Sequence, residues 1–120
     1  MERSAQEVGP KLAELFDAGD YDTIYGASYS PDIVSIEAGE DQKEFVGTAA
    51  IEGKNEWWES AFETHASSME GPFPNGDPFA ALIVMDIAEK ASGQRSKRRQ
   101  VALYSVADDL PVREQLFYAT

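Results

Sequence analysis

From Glu63 to Tyr118 the chain reads as one strand after another, and this run constrains the fold more than any other feature. Glu63 to Gly71 is polar but β-compatible. Phe79 to Ala88 is strongly apolar and is broken only by Asp86. Arg95 to Val106 is long and polar at its start, and Val112 to Tyr118 closes the series. Turn sequences separate them: Pro72 to Pro78, Ser92-Gly93-Gln94, and Asp108-Asp109-Leu110-Pro111. Side chains alternate across a strand, so Val112, Glu114, Leu116 and Tyr118 share one face of the last strand. Arg113, Gln115 and Phe117 share the other.

The N-terminal half has a different period. Val8, Leu12, Leu15 and Phe16 follow helical i, i+4, i+7, i+8 spacing. Ser4 and Glu7 read as a capping box. Gly9-Pro10 means either a kink or a helix that starts at Pro10, and Gly19 ends it. Asp20 to Gly26 predicts a short second helix, with Tyr21, Ile24 and Tyr25 as its apolar face. Ile33 to Glu37 is a short β-branched strand, and Glu44 to Gly47 a return strand. Thr48 caps a third helix reaching about Phe62, with Ile51, Asn55, Trp58 and Phe62 on one stripe.

Helices followed by long consecutive strands give an α+β fold. These helices cannot cover so much strand if the sheet stays flat. The expectation is a curved antiparallel sheet wrapped around the N-terminal helices, a cone with an apolar central pocket. At 120 residues the chain makes a single domain, residues 1–120. Lys and Arg number 10 against 22 Asp and Glu, a net charge of −12, which disfavours nucleic acid and anionic membrane as partners. There is no cysteine, which excludes disulfides and thiolate sites. No apolar run is long enough to span a bilayer, and Met1-Glu2-Arg3-Ser4 lacks a signal-peptide core. A cytoplasmic protein is expected.

Ala18-Gly19-Asp20, the stretch Tyr29 to Glu37, and Gly47-Thr48-Ala49-Ala50-Ile51 are similar to the opening of the SnoaL-like branch of the nuclear-transport-factor-2-like superfamily. Val101 to Val106 and Val112 to Tyr118 resemble that group's last two strands. The resemblance implies a cone-shaped α+β barrel, often dimeric through its outer sheet face. It implies no single function, because the group includes cyclases, isomerases, dehydratases, hydrolases and non-catalytic binders. By analogy with the steroid isomerases, the general-base position falls on Glu37, five places after Asp32. The positions of their two oxyanion donors fall on Leu12 and Ala102, which disfavours steroid isomerisation. The polyketide cyclases pair a pocket aspartate with a histidine, and Asp86 and His65 are residues of those types.

The candidate catalytic residues are therefore Glu37, His65 and Asp86. Glu37 is either a base at the cone mouth or a strand-end glutamate facing water. His65 shares a face with Ser67 and Met69 and is read as a wall residue able to exchange protons. Asp86 shares a face with Leu82, Val84 and Ala88, either the pocket side or the outer side, because period-2 patterning cannot say which is inside. Trp58, Tyr104, Glu114 and Tyr118 are the candidate substrate-binding residues, with Glu114 either buried in the pocket or paired across a dimer. One histidine and no cysteine give no usual zinc set, and the acid–base chemistry needs no metal or cofactor. The run Arg95-Ser96-Lys97-Arg98-Arg99 reads as the solvated start of an edge strand or as an anion site. The expected activity is binding of a small, largely apolar molecule, with isomerase, cyclase or dehydratase chemistry. The alternative is a non-catalytic homodimer or interaction module.

Overall fold

The structure, a computed structural model, describes residues 5–76, 78–108 and 110–118. Helix α1 spans Ala5–Ala18 and continues through Pro10, so the helix does not start at the proline. The expected capping pair rests on Ser4, outside the described residues. Gly19 takes a positive φ of 69°, which frees the chain to turn. Asp20 then caps α2, Tyr21–Thr23, by accepting the Thr23 amide, and a π-helical turn follows over Ile24–Ser28. Strands β1 (Val34–Ile36) and β2 (Glu44–Val46) form the small hairpin. Helix α3, Thr48–Ala61, is capped by Gly47 and not by Thr48. Gly47 has φ 87° there and donates its amide to Ile33.

The long strands are β3 (Phe62–Pro74), β4 (Phe79–Glu89), β5 (Arg95–Ala107) and β6 (Leu110–Tyr118). Strand β3 runs through the start of the proline-rich segment, so the turn is shorter than its composition implies. The sheet has six strands in the order β2-β1-β6-β5-β4-β3. The four long strands pair antiparallel, as expected. Strand β1, however, lies parallel to β6, with Ser35 opposite Glu114. The sheet is therefore mixed, and it is open, with β2 and β3 as edges. This also corrects the edge-strand reading of the basic run, because β5 lies between β4 and β6.

The helices cover one face. Leu12, Leu15 and Phe16 of α1, Ile24, Ile33 and Ile51 pack against Met69, Phe79, Ile83, Ala102 and Leu116 of the sheet. Leu12 and Ala102, at the positions where an oxyanion donor would stand, belong to this apolar core. Polar contacts fix α1 on β3: Asp17 accepts the Met69 amide at 3.1 Å, and Ser67 donates to the Phe16 carbonyl at 2.7 Å. Gly9 allows the close approach. A Cβ there would lie 2.6 Å from the Pro72 ring, a rigid neighbour that cannot swing away. Gly9→Ala is expected to cost about 1–3 kcal/mol, the usual range for overpacking, read as a lower urea midpoint with unchanged slope.

Candidate functional site

Between the helices and the inner sheet face lies a cavity of about 270 Å³. Its walls follow from strand alternation. Ile83 and Met85 of β4, Arg98 and Gln100 of β5, and Glu114, Leu116 and Tyr118 of β6 all line it. Tyr21 and Tyr25 close one side, and Lys54, Trp57 and Trp58 of α3 another. Burial deepens along β5: Arg98 is exposed, Gln100 intermediate, and Ala102 and Tyr104 buried. The cavity therefore has an open end at Arg98 and a floor at Glu114.

The floor carries a buried carboxylate. Glu114 is only 5% exposed, so its oxygens need donors. Ser35 reaches Oε1 at 2.7 Å, and Tyr29 and Tyr104 reach Oε2 at 2.5 and 2.8 Å. The parallel pairing of β1 and β6 brings Ser35 there. Lys54 Nζ lies 3.4 Å from Ser35 Oγ and 3.0 Å from Glu37 Oε1. One polar chain thus links floor and side wall: Tyr29 and Tyr104, Glu114, Ser35, Lys54, Glu37. Higher up, the indole Nε1 of Trp58 is buried and has no hydrogen-bond partner among the described residues.

The candidate residues separate cleanly. Glu37, Trp58, Glu114 and Tyr118 line the cavity. Tyr104 is fully buried beneath the floor, where it holds Glu114 and does not form a wall. His65 does not face the cavity. The register of β3 against β4 shifts between Thr64 and Ala66, so His65 sits in a bulge and is exposed. Thr64 takes the wall position instead, while Ser67 and Met69 keep the inner face. Asp86 lies on the outer face, bound to Arg95 at 2.7 Å, which settles the open choice of face. Lys54, Ser35 and Tyr29 were not singled out by sequence reasoning. The parallel β1–β6 register brings Ser35 to Glu114, while Lys54 arrives on α3 and Tyr29 from the end of the π-helical turn, and no local pattern encodes these meetings. Among the described residues no group of acids and histidines could hold a metal ion, and no helix is long and apolar enough to cross a membrane.

The chain belongs to the SnoaL-like domain family, whose model matches residues 3–118. A candidate SnoaL-like polyketide cyclase from Mesorhizobium loti is 32% identical, with a TM-score of 0.86 over 97% of this chain and 100% of that one. A candidate polyketide cyclase from Xanthomonas campestris is 16% identical, with a TM-score of 0.75 over 96% of this chain and 90% of that one. A protein of ketosteroid isomerase-like fold from Catenulispora acidiphila, solved in complex with trimethylamine, is 12% identical, with a TM-score of 0.76 over 94% of this chain and 85% of that one. The last two are likenesses of fold alone. A search of curated proteins finds no match.

Burial pushes the phenols of Tyr25, Tyr29 and Tyr104 well above their ordinary value, and the negative charge of Glu114 adds to it. They stay protonated in the native state, where Tyr29 and Tyr104 donate to Glu114. The unfolded chain releases those protons above pH about 10, so the unfolded state then binds fewer protons and stability falls as pH rises. Below that pH the contribution is fully present. In an alkaline titration, absorbance at 295 nm is expected to show these three of the five tyrosines ionising only as far-UV circular dichroism is lost. Complete ionisation of a still-folded chain would contradict the network.

Proposed function

We propose that this protein binds a small, largely apolar molecule in the cavity and acts on it by proton transfer. The observation that carries the reading is a largely apolar cavity into which the Glu37 carboxylate and the Lys54 ammonium both reach, 3.0 Å apart. Buried polar groups are normally satisfied, and Trp58 Nε1 is left without a partner among the described residues. Glu37 is the base in this reading, since its carboxylate reaches the cavity and touches the Lys54 ammonium. Removing a proton from a carbon next to a carbonyl develops negative charge on oxygen, which Lys54 stabilises. The description of the Mesorhizobium loti relative as a candidate polyketide cyclase supports such carbonyl chemistry. His65 and Asp86 have no part in it, because neither reaches the cavity.

The neutral ketone 2-tetralone serves as probe in D₂O. Wild type is expected to bind it and to speed exchange of its α-protons, followed by NMR. Glu37→Gln should lower the exchange rate on the order of a hundredfold or more while binding persists. Met85→Trp, which fills the cavity, should abolish both in a folded chain. Exchange unchanged in both variants would overturn the proposal.

A second reading concerns the outer sheet face and is compatible with the first. Leu103 and Phe117 are 45% and 42% exposed there, beside Val101 and Leu82. A contiguous apolar patch of this kind favours contact with another protein surface. We propose a homodimer through this face. Leu103→Glu with Phe117→Glu is expected to shift the sedimentation mass to that of a monomer, and an unchanged mass would sink the reading.

A further inference from the structure

The basic run Arg95 to Arg99 is divided by alternation. Lys97 pairs with Asp86 and Arg99 with Val84 in the β4–β5 register, which sets both on the outer face, where Arg95 binds Asp86. Arg98 pairs with Met85 and lines the cavity alone of this group. Its guanidinium lies 5.1 Å from the Trp58 ring centre and 5.3 Å from that of Phe62. Those two rings stack on each other at 4.3 Å and 22°. A guanidinium held against such a shelf keeps its N–H fork for a planar acceptor. No carboxylate takes that fork among the described residues. The other cavity cation, Lys54, is bound to Glu37.

We infer that the cavity selects ligands carrying a carboxylate, seated on Arg98 at the open end with the apolar body inside. This deepens the proposed function and rests on the same cavity. Charge placement separates the anion from a cationic alternative. An amine entering past Arg98 would meet like charge at the rim. An anion there sits far from Glu114, which lies opposite Tyr104, six residues along β5 from Arg98, while of the other two carboxylates on the wall Glu37 is bound to Lys54 and Glu59 is exposed beside Asn55. The separation from Glu114 is roughly 20 Å of extended strand. In a chain of net charge −12 an unpaired arginine on this wall offsets an otherwise repulsive field locally.

The test compares 1-naphthoate with neutral 1-naphthamide by titration calorimetry at low salt. Wild type is expected to bind both and to prefer the carboxylate by about tenfold or more, the range for a charge-assisted pair. Arg98→Gln should lower naphthoate affinity about tenfold or more and naphthamide affinity much less, which removes the preference. Arg99→Gln makes the same change of charge on the outer face and should preserve it. Equal loss in both variants, or a preference that survives Arg98→Gln, overturns the inference and leaves the cavity reading standing. Equal affinity of wild type for the two probes does the same. Failure of both probes to bind wild type overturns both.

Discussion

A carboxylate at the bottom of an apolar cavity has to be satisfied, and much of this structure serves that requirement. Glu114 draws donors from three separate segments: Ser35 from β1, Tyr29 from the end of the π-helical turn, and Tyr104 from β5. Each bond ties a different part of the chain to β6. Leaving a buried charge short of partners costs several kcal/mol, so the network specifies the arrangement as much as it stabilises it. The parallel docking of β1 on β6 places the Ser35 hydroxyl where the carboxylate needs it. The same docking carries Glu37, just beyond β1, to the cavity wall beside Lys54.

The cavity is graded from end to end. Its floor is polar but saturated by internal hydroxyls. Its middle is aliphatic and aromatic, with Ile83, Met85, Leu116 and Tyr25 on the walls. Its rim holds the stacked pair of Trp58 and Phe62 under Arg98. A flat molecule with one polar end matches this gradient, because apolar burial holds its body and the rim orients it. Family membership leaves the reaction open, since one fold hosts many chemistries. The particular side chains therefore carry the functional argument.

Two features decided which candidate residues met. The bulge at His65 is one. An extra residue in a strand reverses the facing of everything before it, so Thr64 lines the cavity and the histidine does not. Sheet position is the other. Arg98 resembled its basic neighbours in sequence, yet a central strand covered by helices on one face separates it from them. Asp86 followed the same rule in the other direction and paired with Arg95 outside. Tyr104 followed alternation correctly onto the inner face, but its level along β5 put it under the floor.

The sequence by itself determined the α+β class, the three helical segments, the order of the strands and the facing of β6. Those follow from hydrophobic period, β-branching and turn residues, which are local and add along the chain. It also placed Glu37, Trp58, Glu114 and Tyr118 among the candidates that line the cavity. Tertiary structure alone decided that β1 runs parallel to β6, that the sheet stays open, and that Lys54, Ser35 and Arg98 join the site. Those are matters of register between distant segments. A shift of one residue exchanges the inner face for the outer, and nothing in a strand's own composition fixes which register its neighbours impose.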